Sequence, residues 1–222
     1  MADGTVVVAV KLLLEGREIE GAAEVPTGSA PRRVLLPVLR GLTDAIVGLA
    51  EGVTCAKGCD ACCRQMVPIS VAEAAGLQET LAGMKAAARR RVLSRWERAL
   101  EKLRPVMEQL RGRAELDAAA LERLDRDYFA LQAACPFLEA GACAIHAQRP
   151  LACREFVVRS DPRHCADPGG GGVERVEIGA RVSVALREAE GRGWLPLVLA
   201  RELCEADNVD PVAELRRVLK GL

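Results

Sequence analysis

Four cysteines fall within nine residues in the segment Cys55-Ala-Lys-Gly-Cys59-Asp-Ala-Cys62-Cys63. Thiolates gathered this closely repel one another unless a cation neutralises them, and a soft ion such as zinc or iron does so directly. On a helix the positions i, i+4, i+7 and i+8 share one face; a tight loop brings them together as well. The adjacent pair Cys62-Cys63 adds a constraint. Neighbouring side chains on regular backbone point in different directions, so these two suit two metals, or two irons of one cluster, better than a single tetrahedral zinc. One cysteine on an apolar face is usually a small hydrophobe. Four of them beside Lys57, Gly58, Asp60 and Arg64 read as a ligand set.

A second cysteine segment spans residues 134–172 and carries Cys135, Cys143, Cys153 and Cys165. Pro136, Pro150, Pro162, Pro168 and the four glycines at 169–172 predict loops and short turns, which suits a ligand loop. Arg149 and Arg154 flank Cys153, and Arg64 follows Cys63. All three are candidates to donate N–H groups to sulfur and to balance thiolate charge. Phe137, Leu138, Ile145 and Phe156 are expected to exclude water. Cys165 is a candidate eighth thiolate, and Cys204 is assigned to the core. His146 and His164 are either ligands or ordinary solvent-facing or hydrogen-bonded histidines.

The elements that must position these residues are mostly helical. Only 3% of residues are aromatic while 50% are hydrophobic, so Leu, Val and Ala build the core. Thr5–Leu14 and Glu18–Val25 read as two strands of an amino-terminal β-hairpin turning at Glu15-Gly16-Arg17. Helical spacing covers 33–51, with Pro37 in the first turn. Ser70 with Glu73 is a capping-box signature for a helix to about Gly83. A long charged helix is predicted over 85–112, with Pro105 as a kink or break, and another over 114–133. A short strand is predicted at 173–178 and helices at 181–190, 194–206 and 211–219. The fold class is therefore mainly α with a small amino-terminal β-hairpin, a helical domain organised around a cysteine-ligated metal centre. Three parts are expected: 1–50, the hairpin and first helix; 51–172, the cysteine-cluster domain; and 173–222, a carboxy-terminal helical segment on the same core.

Lys plus Arg and Asp plus Glu are equal at 31 each, so no general field favours nucleic acid or anionic lipid. No apolar run approaches the ~20 residues that span a bilayer, and no basic leader or cleavage site opens the chain. A reducing cytosolic setting is expected, where clustered cysteines mean metal or redox chemistry. The partner or substrate is left open, with an unassigned protein as the expected class.

Taken in order, C-x3-C-x2-CC, then C-P-F-L, then C-x-I-x-x-x-R-P-x-x-C-R-x-F over residues 55–156 resembles the YkgJ-like cysteine-cluster family, also called the CxxCxxCC family. The resemblance implies that Cys55, Cys59, Cys62, Cys63, Cys135, Cys143 and Cys153 are metal ligands. His146 stands where that family usually has tyrosine, and Cys165 lies beyond the shared motif. The spacing of Cys55, Cys59 and Cys62 also matches radical S-adenosylmethionine enzymes, but Ala61 stands where those have an aromatic residue and no Gly-Gly-Glu motif is present. Three functions follow as expectations. The first is an iron–sulfur protein of [4Fe–4S] type with a redox or cluster-assisted role. The second is a structural zinc module that mediates protein interaction. The third, from the resemblance alone, is an S-adenosylmethionine-dependent modifying enzyme related to flagellin lysine methylases.

Overall fold

A computed structural model of the chain describes residues 4–14, 17–56, 58–111, 117–167, 171–191, 193–202 and 208–222. Strands β1 (Thr5–Leu14) and β2 (Arg17–Pro26) pair antiparallel in the register Leu14↔Arg17 to Thr5↔Pro26. The two-residue connection at Glu15 and Gly16 lies outside the described residues. Alternation orients the hairpin: Val8, Val10, Ala23 and Val25 are buried while Val7 faces out. The buried face packs on helices α1 (Leu36–Gly48), α6 (Val182–Glu190) and α7 (Pro211–Lys220) through Leu39, Leu186 and Leu215. Strand β3 (Ala30–Pro31) pairs with β8 (Asn208–Val209) beside them.

The middle of the chain is a helical stack. Helix α2 (Val71–Gly83) starts at the capping box that Ser70 and Glu73 announce. Helix α3 (Ala86–Arg111) runs without a break through Pro105. The proline removes one backbone bond, at a typical cost of about 3 kcal/mol. Leu103, Val106 and Met107 are buried around it against Leu124 and Tyr128 of helix α4 (Ala118–Ala130), and this packing keeps the helix continuous. Trp96 of α3 is fully buried, stacks edge-on against Phe137 at 5.3 Å, and donates its indole N–H to Val198 O at 2.7 Å.

Two expected elements differ. The helix at 194–206 is instead strand β7 (Leu195–Pro196), paired with β4 (Pro68–Ile69), followed by a 3-10 turn over Leu197–Glu202. The Trp96 indole and the Gln78 amide take the carbonyls of Val198 and Ala200, which α-helical bonds would have used. Cys204 lies outside the described residues. The strand at 173–178 is reduced to a single bridge between Val158 and Arg175. Among the described residues no helix is long and apolar enough to cross a membrane.

Candidate metal centre

Three stretches of chain converge here. The first, 54–56 and 58–65, carries no α-helix and ends in a 3-10 turn over Ala61–Arg64, so a long helix does not gather its cysteines. Thr54 N–H donates to Val158 O at 2.9 Å, which fixes the entry to this loop against the third stretch. At its exit Cys135 N–H donates to Cys63 O at 2.7 Å, joining the first stretch to the second. The Gln65 amide reaches Cys165 O at 3.4 Å.

The second stretch carries Cys135, Cys143 and Cys153. Strands β5 (Leu138–Glu139) and β6 (Ala142–Cys143) form a minimal hairpin. Ala140 and Gly141 turn it with positive φ at both positions, the conformation that a two-residue hairpin needs. The turn folds Cys143 back toward Cys135. Cys153 sits on a short helix, α5 (Leu151–Glu155), which starts after Pro150. The Pro and Gly content predicts loop here; proline just before the first helical turn instead sets a favourable φ and starts one. Cys165 lies on a 3-10 turn over Pro162–Ala166 and is buried with Ala61 and Val158 against Cys55 and Cys62.

All eight of these cysteines carry free thiols. Their mutual electrostatic influence defines the arrangement. Cys62 is at the centre and acts on Cys55, Cys63, Cys135, Cys143, Cys153 and Cys165. Cys55 and Cys165 also respond to Cys59, while Cys63 responds to Cys135 and Cys153. The thiol of Cys63 donates toward Cys62, which lowers the Cys62 pKa and raises that of Cys63. The two sulfurs therefore approach each other on the 3-10 turn, and adjacency in sequence does not send them to opposite sides as regular backbone would. Burial raises Cys135 to about 12 and Cys165 to about 11, and it also raises Cys55, Cys143 and Cys153. Among the described residues, no three His, Cys, Asp or Glu side chains stand as placed in a group that could hold a metal ion.

The donor chemistry fits a thiophilic metal. Backbone N–H groups point at sulfur: Val158 toward Cys55, Phe137 and Leu138 toward Cys135, and Ile145 toward Cys143. Such donors stabilise the thiolate form. Arg149 lowers the pKa of Cys55, Cys62, Cys143 and Cys153, and its buried Nε has no hydrogen-bond partner among the described residues. A buried cationic N–H left unpaired costs free energy, and gathered negative sulfur would offset that cost. Arg154 is spent elsewhere. It donates to both oxygens of Asp44 at 2.6 Å and to the carbonyls of Ala147 and Arg149, fastening the second stretch to α1. Arg64 leans toward Asp60, its i−4 neighbour, at 3.7 Å. Phe137 and Ile145 are buried in the cluster that Cys135 and Cys143 pack against, and Phe156, like Cys55 and Cys62, packs on Ala61, Val158 and Cys165; Leu138 is half-buried in β5. His146 is exposed, and His164 Nδ1 lies 2.6 Å from Gly172 O.

Sequence reasoning missed two fasteners of this site. Glu73 is fully buried and accepts from Ser70 N–H at 2.9 Å and from Leu151 N–H at 2.7 Å. Glu155 accepts from Ser183 N–H at 2.8 Å and from the Ser183 hydroxyl. The first ties α2 to the start of α5, and the second ties the end of α5 to α6. The capping-box spacing announces Glu73, but only for its local bond.

The family model CxxCxxCC, described as a putative zinc- or iron-chelating domain, matches residues 54–168, more than half of the chain. No curated protein and no solved structure gives a match.

Proposed function

The chain belongs to the CxxCxxCC family of zinc- or iron-chelating domains, and from that premise we propose that its eight gathered cysteines carry an iron–sulfur centre, of [4Fe–4S] type, with a redox or cluster-assisted role in the reducing cytosol. The observation that carries this reading is the all-sulfur donor set around Cys62, with Arg149 turned toward four of its members. Sulfur-only ligation, N–H donors on the sulfurs and partial burial are the features by which a protein holds and tunes such a cluster. The ligands proposed are Cys55, Cys59, Cys62, Cys63, Cys135, Cys143, Cys153 and Cys165. Arg149 acts behind them. Cysteines bind metal as thiolates, so loading expels protons.

A second reading uses the same cysteines as two four-thiolate sites or one shared zinc cluster. Four thiolates are also a closed tetrahedral zinc site, which is structural and leaves no position for substrate. Two such sites would make the protein a stapled binding module. Visible absorption separates the readings. Protein purified without oxygen should be brown, with a broad band near ~400 nm that bleaches on reduction with dithionite. A colourless protein containing zinc would sink the iron–sulfur assignment and leave the structural one.

A further inference from the structure

A cavity of about 570 Å³ opens beside the cysteine cluster, bounded by α4, α5, α6 and the segment before β4. This is the size of a small-molecule site. Only Cys62 and Cys153 of the eight cysteines reach its wall, so it is a separate space that shares a partition with the cluster. Met66, Phe156 and Trp194 give it an apolar lining. Three guanidinium groups also line it: Arg175, Arg181 and Arg187.

These three arginines make no salt bridge among the described residues. Arg175 Cζ stands over the Phe156 ring, 4.7 Å from its centroid. Arg187 Nη1 is buried and has no hydrogen-bond partner among the described residues. The acids on the same wall are mostly engaged. Glu155 holds Ser183 with both oxygens, and Glu122 faces Arg126 at 3.9 Å on its own helix. Asp125 is the remaining carboxylate of this wall and acts on Arg175, while Glu73, Glu155 and Glu190 act on Arg187. Unpaired planar guanidinium groups in a partly apolar cleft are built to receive a carboxylate or phosphate, often two-pronged.

We propose that this cavity binds a small organic anion, a carboxylate or phosphate on an apolar or aromatic body, directly against the Cys62 and Cys153 wall of the cluster. The anionic group meets Arg175 and Arg181, with the charge of Arg187 in the same wall, while the body lies between Met66, Phe156 and Trp194. The inference stands on the cavity and holds whichever metal the cysteines carry.

The test uses metal-loaded full-length protein and two fluorescent probes of similar shape, anionic 8-anilinonaphthalene-1-sulfonate and neutral N-phenyl-1-naphthylamine. The anionic probe should bind more tightly than the neutral one, and benzoate or phenyl phosphate should displace it. Whichever competes better identifies the head group. R175Q and R181Q should each weaken the anionic probe about tenfold, while D125N should tighten it. Binding of the neutral probe should stay within about twofold in all three, which also shows that the variants are folded. Absence of anionic-probe binding would overturn the proposal. So would equal binding of both probes, or an affinity for the anion that ignores all three substitutions. Metal content is measured separately, so failure here leaves the cluster assignment untouched.

Discussion

Glu73 Oε1 accepts a hydrogen bond from Leu151 N–H at 2.7 Å, across 78 residues of chain. Ser70, at the other end of the same carboxylate, follows the first cysteine segment, and Leu151 stands two residues before Cys153. One buried side chain thus sets the distance between the two cysteine segments.

Removing it should loosen both. Glu73→Ala leaves two buried N–H groups unpaired and is expected to cost about 3 kcal/mol of stability. Glu73→Gln keeps one acceptor but turns an amide N–H toward the other donor, so it should fall between. Glu79→Ala, on the exposed partner of Arg33, should cost no more than about 0.5 kcal/mol. Urea unfolding of the three variants checks the order. A Glu73→Ala protein as stable as Glu79→Ala would remove the carboxylate from its bridging role.

Cys165 separates a seven-ligand site from an eight-ligand one. Cys165→Ser should lose metal to the same degree as Cys59→Ser, since Cys165 responds to Cys55, Cys59 and Cys62 together. Cys204→Ser should keep its full content. Metal analysis of the three proteins decides. Full retention in Cys165→Ser would return the ligand set to the seven cysteines of the family motif.

Arg149 holds down the pKa of four thiols. Without its charge those thiolates form less readily, so Arg149→Gln should load metal only at higher pH than the natural protein. Arg149→Lys should restore part of the difference. Arg154→Gln breaks the contact with Asp44 instead, and its effect should appear in stability with the loading midpoint little changed. The readout is metal uptake followed across pH. An unmoved midpoint in Arg149→Gln would show that this arginine does not serve the thiolates.

Metal-free protein should be sensitive to alkali. Cys135 and Cys165 are raised from 9.0 to about 12 and about 11. The folded form therefore binds more protons than the unfolded form above pH 9. The stability these groups contribute is fully present below 9 and is lost as pH rises through 11 to 12. Metal-loaded protein has already given up those protons, so it should not follow the same curve. Circular dichroism of both forms from pH 8 to 12 tests this; identical curves would contradict it.

Much of the fold was legible because its signals are local. The valine-rich run Thr5–Leu14 and the loosely alternating run Glu18–Val25 give the hairpin, and Ser70 with Glu73 gives the start of α2. The two cysteine segments were legible as a cysteine-cluster domain from residue type and spacing, and the family match over residues 54–168 agrees. What escaped depends on distant partners. Glu73 reads as a cap because its bond to Leu151 is invisible at short range. Leu197 to Glu202 has the composition of a helix, but the Trp96 indole and the Gln78 amide claim its carbonyls. The approach of Cys63 to Cys62 depends on a 3-10 turn, which residue spacing does not specify. The unpaired guanidinium groups around the cavity come from α6 and the bridge segment before it, and no motif marks them.

The most direct measurement is the iron, acid-labile sulfide and zinc content of protein purified under strict exclusion of oxygen. The expected result is iron and sulfide in equal amounts, roughly four of each per cluster, with little zinc. Stoichiometric zinc with neither iron nor sulfide would contradict the iron–sulfur assignment and make the eight cysteines a structural staple.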